Sequence, residues 1–310
     1  MKKLMAVLLA GVMAASLAAC GGNAGAPAET TAAAAETTIA AETVTEAAEG
    51  ADAKKTTAAA AGELTGRLKS IQEAGVLKVS TSPDYPPYEF EDITKEGQER
   101  YVGADMELAK YLADKLGVKL QIEAMAFDAC MAAVSEGRVD ITICGMVPKD
   151  ERKNTMDFTD IYYNDGDQLV IILKDDADKY KTLADFAGQS VAAQNGSLQY
   201  DLVTKQIPDA KCEPISAITD GIMMLKTGKV AGIAMASVAA DNYVANYPEL
   251  VACDQSFEYT SLGVVAGIPK NEPEFLAKIN EIIKEVDDSG EYYQWIEDAS
   301  ALSNEIQGLQ

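Results

Sequence analysis

Short apolar runs alternate with helical stripes of apolar residues from about residue 63 to the end of the chain. The runs predict buried strands over 76–80, 120–124, 139–144, 169–173, 190–194 and 230–235. The stripes predict helices over 105–116, 128–136, 183–186, 197–205, 218–226, 274–286 and 291–298. Strands separated by helices favour mostly parallel sheets with helices on both faces.

The carboxyl ends of these predicted strands are the places to look for a ligand site. In open α/β sheets, ligands bind in the crevice beyond the carboxyl ends of the strands. The segments that follow those ends cover 80–88, 127, 144–152, 194–198 and 235–237.

The first twenty residues have the pattern of a processing signal. Lys2 and Lys3 precede an uncharged apolar run over 4–19, which is shorter than the roughly 20 residues of a membrane-spanning helix. The run ends in Leu-Ala-Ala followed by Cys20, which resembles a bacterial lipobox. We therefore predict a lipoprotein signal peptide over 1–20 with the lipid on Cys20; the alternative is an ordinary signal peptide with a chance cysteine.

Residues 21–62 have the composition of a tether. Alanine (17), threonine (8) and glutamate (5) account for most of these 42 positions, and Ile39 and Val44 are the only large aliphatic residues. Such a segment cannot bury enough apolar surface to offset its chain entropy. We predict a disordered spacer between the lipid and a folded part.

Composition narrows the chemistry of the folded part. The 310 residues include no histidine and carry a net charge of -23. The charge opposes a nucleic-acid partner, which needs a surplus of lysine and arginine. The lack of histidine excludes Ser-His-Asp catalysis and histidine-ligated zinc, and the cysteines beyond Cys20 form no CxxC pair. We expect no metal and no cofactor.

Several motifs occur in order along residues 66–300. They are Gly75-Val-Leu-Lys-Val79, Tyr85-Pro-Pro-Tyr-Glu-Phe90, Val102-Gly-Ala-Asp-Met-Glu-Leu-Ala109, Gly137-Arg-Val-Asp140, Gly145-Met146, Glu151-Arg152, Met156-Asp-Phe-Thr159, Leu183-x-Asp-Phe-x-Gly188 and Gln194-Asn-Gly-Ser197. Together they resemble the family 3 extracellular solute-binding proteins, the polar amino-acid receptors of ABC importers.

This resemblance implies an α/β fold with two lobes, the periplasmic-binding-protein or Venus flytrap arrangement. Lobe 1 would comprise 63–166 plus 269–310, and lobe 2 would comprise 174–261. Two crossover hinge strands, 167–173 and 262–268, would join them.

Arg152 is the expected clamp for a ligand carboxylate. A guanidinium binds a carboxylate through two parallel hydrogen bonds, and the backbone N–H of Val147 and its neighbours can add donors. The alternative is a surface arginine paired with Asp150 or Glu151.

The resemblance supplies the other expected ligand contacts. Tyr85 and Phe127 would form aromatic walls, with core packing as the alternative. Ser197 would meet the carboxylate from lobe 2 or only cap its helix. Gln194 would contact the ligand side chain or face solvent, and Gly145 would offer backbone groups.

Two positions depart from the family pattern. Many members have an acid where this chain has Ser82, and an acid that holds the ligand ammonium where it has Ala236. An unmatched ammonium in a closed cleft is costly. The remaining options are another acid such as Asp84 or Asp241, the backbone carbonyl of Gly145, or a ligand that is not a standard α-amino acid.

The sequence thus predicts a monomeric, lipid-anchored binding protein on the outer face of the bacterial cytoplasmic membrane. It would capture a small polar solute, an amino acid by resemblance, through hinge closure and deliver it to an ABC permease. No catalytic residue is expected. The alternatives are an enzyme on this fold, such as a cyclic-acid dehydratase, or a receptor for a non-standard amino acid or another small carboxylate.

The four remaining cysteines allow two states. They fall two per lobe, so one disulfide in each lobe or four free thiols both fit their spacing. These cysteines are Cys130, Cys144, Cys212 and Cys253. Cys144 directly precedes Gly145, which places a thiol near the expected site.

Overall fold

The computed structural model describes residues 64–307. The predicted signal segment, the tether and Cys20 lie outside the described residues. No helix within the described part is both long and apolar enough to cross a bilayer.

Helices and strands alternate throughout the described chain. The helices are α1 (Gly66–Ala74), α2 (Ala104–Leu116), α3 (Phe127–Ser135), α4 (Leu198–Gln206), α5 (Ile218–Lys226), α6 (Ser237–Asn246), α7 (Pro273–Ser289) and α8 (Glu291–Gln307). The strands are β1 (Val76–Thr81), β2 (Asp84–Tyr85), β3 (Glu89–Glu91), β4 (Tyr101–Val102), β5 (Lys119–Ala124), β6 (Ile141–Thr142), β7 (Met156–Phe158), β8 (Gln168–Leu173), β9 (Ser190–Gln194), β10 (Lys211–Ile215), β11 (Gly232–Ala236), β12 (Leu250–Ala252) and β13 (Gly267–Pro269). Short 3₁₀ turns cover Gly97–Arg100, Asp150–Asn154, Lys174–Asp176 and Leu183–Phe186.

Helix α7 shows how the sequence pattern sets these elements. Pro273 occupies its first turn, where the missing N–H costs nothing, and Gly290 follows its end with φ of 72°. Its buried residues recur every three or four positions along one face of the helix. They are Phe275, Ile279, Ile282, Ile283 and Val286.

Two five-stranded sheets organise the fold. The first has the order β5-β1-β6-β13-β7 and the second has the order β10-β9-β11-β8-β12. In each sheet three parallel strands are followed by two strands that pair antiparallel. The first sheet with its helices is called the first lobe below, and the second sheet with its helices the second lobe. The predicted two-lobed α/β fold is confirmed.

The connection between the lobes overlaps the second predicted hinge strand, which contains Val264, but precedes the first. The predicted hinge 167–173 lies almost wholly within β8, which pairs inside the second sheet, and the predicted hinge 262–268 runs into β13 of the first sheet. The two crossing segments pair through a single antiparallel bridge between Tyr163 and Val264. An apolar run in the sequence predicts a strand, but it does not show which of the two sheets that strand will join.

The two lobes are in contact. The largest buried apolar cluster contains residues of both sheets, such as Leu77 and Ile233. Helix α8 also packs on α6, where the buried Ser303 hydroxyl donates to Asn242 Oδ1 at 2.9 Å. Buried apolar packing and a side-chain hydrogen bond therefore connect the two lobes.

Candidate functional site

The seven ligand contacts expected from the sequence all line one small cavity of about 20 Å³. Loops after β1 and β6 and the start of α3 contribute from the first lobe, and the end of β9 and the start of α4 contribute from the second. The predicted residues are Tyr85, Phe127, Gly145, Val147, Arg152, Gln194 and Ser197. Cys144, Leu198 and Gln199 complete the lining.

Arg152 lies in the 3₁₀ turn after β6 and is only 9% exposed. Its Nη1 donates to the carbonyl of Val147 at 3.0 Å, and its Nη2 donates to the carbonyl of Gly196 in the second lobe at 2.8 Å. Burial lowers the pKa of Arg152, yet a guanidinium stays charged at neutral pH. Two of its five N–H groups are thus used, and the others remain for a ligand.

The alternative surface pairing of Arg152 does not occur in the structure. Asp150 pairs instead with Lys153 at 2.7 Å, and Glu151 lies 3.8 Å from Lys149. The guanidinium carbon of Arg152 lies 5.3 Å from the centroid of the Phe127 ring. This cation–π contact holds the charged group against the aromatic wall.

Tyr85 forms another part of the cavity wall. Its hydroxyl oxygen accepts a hydrogen bond from the backbone N–H of Ala236 at 2.8 Å, across the lobe boundary. Its ring stacks on Tyr88 with centroids 5.8 Å apart, and burial raises its pKa. The hydroxyl is therefore neutral and keeps its own hydrogen for donation.

Ser197 and Gln194 bring the second lobe to the cavity. Ser197 caps α4, because its Oγ accepts from the N–H of Tyr200 at 3.1 Å. Gln194 ends β9, and its Nε2 donates to both carboxylate oxygens of Asp84 at 3.2 and 3.3 Å. The capping role expected of Ser197 is present, and its hydroxyl hydrogen is free to act as a donor as well.

Asp84 joins the two lobes beside the cavity. One oxygen accepts from Ser82 Oγ at 2.9 Å, and the other accepts from the N–H of Ile218 at 2.6 Å. Asp84 of the first lobe thereby caps α5 of the second, whose own preceding residue offers no side-chain cap. Burial raises the pKa of the Asp84 carboxyl to about 6, against the opposing effect of these hydrogen bonds.

Asp105 and Glu89 form a buried acidic cluster next to Gly145. Asp105 at the start of α2 accepts from the N–H of Gly145 at 2.7 Å and from the hydroxyls of Tyr162 and Tyr292. Burial, and then the neighbouring Asp105, raise the pKa of Glu89 well above its usual range. The sequence motif marked Asp105 only as a helix start; its hydrogen-bond partners are too far away along the chain to be found by spacing.

The two departures from the family pattern are both visible in the structure. Ala236 ends β11 and is buried, and its backbone N–H donates to the hydroxyl of Tyr85. Ser82 bonds to Asp84, whereas Asp241 is exposed on α6. No group of three or more residues within 64–307 could hold a metal ion.

All four cysteines of the described region are free. Cys144 lies in the cavity wall, and a hydrogen bond with Cys130 followed by burial raises its pKa. Of the two states left open by the sequence, the structure has the four thiols.

Comparisons with known proteins agree with this arrangement. The family model for bacterial extracellular solute-binding proteins, family 3, matches residues 77–298. The arginine-binding extracellular protein ArtP of Bacillus subtilis is 30% identical over 233 residues, which are 73% of this chain and 87% of that protein.

Solved structures show the same similarity. A crystal structure of the amino acid ABC transporter substrate-binding protein AbpA from Streptococcus pneumoniae, bound to L-arginine, matches with a TM-score of 0.72 and 31% identity, covering 76% of this chain and 98% of that one. The ancestral amino acid-binding protein AncCDT-1, a precursor of cyclohexadienyl dehydratase, matches with a TM-score of 0.67 and 29% identity over 75% and 99% of the two chains. This chain belongs to the bacterial extracellular solute-binding proteins of family 3.

Proposed function

We propose that this protein is the substrate-binding component of an ABC importer and captures a small polar carboxylate between its two lobes. The observation that carries the proposal is the cavity itself, where Arg152 lies among residues of both lobes. A ligand there touches both lobes only when they are together, so its binding favours the closed arrangement. The permease would then receive solute from the closed form.

The ligands named for the relatives support a small carboxylate as the solute. ArtP is an arginine-binding protein, and the AbpA structure holds L-arginine. A carboxylate is the part that such ligands share with other small acids, and the guanidinium of Arg152 is suited to bind it bidentately. We therefore propose a monomeric receptor for a carboxylate solute.

The enzyme alternative has little support in this site. A dehydratase needs a positioned acid or base near the reacting bond. The chain has no histidine, and among the described residues no carboxylate lines the cavity. The likeness to AncCDT-1 is a likeness to a binding protein, by that protein's own description. We propose that the protein performs no catalysis.

Calorimetry on Arg152→Lys tests the proposal. The ligand set comprises the twenty standard amino acids and their α-hydroxy-acid counterparts. We expect at least one tight ligand for the wild type and at least tenfold weaker binding after the substitution, because lysine cannot donate two parallel hydrogen bonds.

Arg138→Lys is the matched control. Arg138 is exposed, pairs with Glu136 at 2.7 Å and is not among the residues that line the cavity. Its substitution should leave the ligand affinity unchanged. No binding by any acid of the set, or equal affinity of the Arg152→Lys and wild-type proteins, would refute the proposed function.

We further propose that Cys20 carries a lipid that holds the domain at the outer face of the membrane. The support is the basic pair before an apolar run that ends at this cysteine. Two or three acyl chains suffice for stable anchoring. Labelling cells with a radioactive fatty acid should mark the wild type and leave Cys20→Ala unlabelled; equal labelling of both would contradict the proposal.

A further inference from the structure

The charge balance of the cavity is the feature that points beyond a general carboxylate receptor. Arg152 is the only charged side chain among the described residues that line the cavity. A bound carboxylate would neutralise it. A zwitterionic amino acid would bring an ammonium as well, and the lining offers no carboxylate to match it.

Asp84 is hydrogen-bonded to the cavity residue Gln194, but both of its carboxylate oxygens are already occupied. Oδ1 accepts from Ser82 and Gln194, and Oδ2 accepts from Gln194 and the N–H of Ile218. Gln194 lines the cavity, whereas Asp84 does not. An ammonium could reach Asp84 only by displacing Gln194 and uncapping α5.

Of the other acids, Glu89 is buried and does not line the cavity, whereas Asp105 and Asp241 are committed or distant. Asp105 accepts three hydrogen bonds from Gly145, Tyr162 and Tyr292 and is fully buried behind the wall. Asp241 is exposed on the surface of α6. Ala236, which ends β11 next to Tyr85, has no side-chain acceptor at all.

The other polar groups that line the cavity are suited to hydrogen bonds with uncharged groups of a ligand. The hydroxyls of Tyr85 and Ser197 each accept a hydrogen bond from a backbone N–H, so both keep a hydrogen to donate. Gln199 donates through Nε2 to Gln168 at 2.6 Å, which leaves its amide oxygen as an acceptor. A neutral amide oxygen is an adequate partner for a hydroxyl or an amide N–H, but it does not compensate a full charge.

We infer that the ligand of this cavity is a small carboxylate without a cationic group, so that an α-hydroxy acid binds more tightly than the α-amino acid with the same side chain. The inference rests on the proposed function, because it concerns the ligand of the same site. Its physical basis is that removing an ammonium from water without supplying a counter-charge is expensive, whereas a hydroxyl needs only one hydrogen bond.

Calorimetry on matched pairs tests the inference with the wild-type protein. Each pair differs only in the ammonium or hydroxyl group, for example L-alanine with L-lactate, L-phenylalanine with L-phenyllactate, and L-aspartate with L-malate. In every pair that binds, we expect the hydroxy acid to bind at least tenfold more tightly, which corresponds to ~1.4 kcal/mol.

The outcomes separate this inference from the proposed function. An amino acid that binds as tightly as its hydroxy partner, or more tightly, overturns the inference and leaves the carboxylate receptor in place. No heat from any member of any pair overturns both.

Ala236→Asp supplies the missing counter-charge and gives a second test. The backbone N–H of Ala236 lies 2.8 Å from the hydroxyl oxygen of Tyr85, so a carboxylate here comes close to the cavity wall. We expect this variant to shift the ratio of the two affinities at least tenfold toward the amino acid. Ala236→Asn, of equal size and no charge, should not shift it. An unchanged ratio of the two affinities in a folded Ala236→Asp protein contradicts the inference. If that variant does not fold, the calorimetry of the matched ligand pairs on the wild-type protein still tests the inference.

Discussion

Replacing Asp84 with asparagine removes a partly buried charge at the contact between the lobes. The carboxyl of Asp84 has its pKa raised from the usual 3.8 to about 6, chiefly by burial. A change of about 2 pKa units corresponds to ~3 kcal/mol of free energy. The ionised carboxylate thus opposes the folded, closed arrangement at neutral pH, even though it accepts several hydrogen bonds.

The direction of the pH dependence follows from the raised pKa. Because the folded protein binds this proton more tightly than the unfolded chain, the stabilisation is complete below about pH 3.8 and is lost as the pH rises through about 6. Asparagine cannot ionise, so it avoids that loss. Its amide offers one acceptor in place of two, which subtracts ~1 kcal/mol at every pH.

Chemical unfolding of the wild type and Asp84→Asn between pH 4 and pH 8 measures this effect. We expect the variant to gain stability relative to the wild type as the pH rises from about 4 to about 6, by up to ~3 kcal/mol, and the difference to be constant above about pH 7. Glu89 and Asp105 are present in both proteins, so the comparison removes their contribution.

Asp241→Asn is the matched control, because Asp241 is an exposed acid on α6. Its unfolding free energy should follow the wild type at every pH within about 0.5 kcal/mol. A stability difference between Asp84→Asn and wild type that is independent of pH, or that shrinks as the pH rises, would refute the reasoning.

Three further predictions concern packing and cysteine chemistry. Gly103→Ala should lower the unfolding free energy by more than ~3 kcal/mol, because its Cβ would lie 2.2 Å from the carbonyl oxygen of Tyr88 at φ of 125°. Gly75→Ala, with nothing within 4 Å of the new Cβ, should cost only ~1 kcal/mol in the same unfolding assay, and equal costs would contradict the account. Ser303→Ala should cost ~1 kcal/mol by removing the buried hydrogen bond to Asn242, whereas no measurable loss would mean that this lobe contact contributes nothing. Thiol titration of the unfolded domain without a reductant should find four free thiols over residues 64–307; two would indicate a disulfide.

The gathering of the predicted site residues around one cavity has a simple geometric origin. Parallel strands end at one edge of a sheet, so the chain segments after β1 and β6 had to lie near one another in the first lobe, and the contact between the lobes brings the end of β9 beside them. Phe127, Arg152 and Gln194 follow such ends or start the next helix. For this reason strand order along the chain was enough to assemble the list, once the family resemblance had named the roles.

The hydrogen-bond partners of Asp84 and Asp105 could not be predicted from the sequence. Asp84 bonds to Ile218, 134 positions away, and Asp105 bonds to Tyr292, 187 positions away. A carboxylate at a strand end or a helix start has the same local sequence whether it faces a ligand or a distant backbone N–H. Only the packing of the lobes decided that both acids are used within the protein.

The sequence by itself determined the alternation of strands and helices and the set of residues at the strand ends, because periodicity and chain order control these features, whereas the two-lobed arrangement followed from the family resemblance. It left open the sheet that each crossover strand joins, the state of the cysteines and the charge balance of the cavity. Those depend on which groups meet in space: β8 pairs within the second sheet, and Arg152 faces a lining without an acid among the described residues. Tertiary contacts set these outcomes, since burial and hydrogen bonding act between residues whose separation along the chain carries no information about their distance.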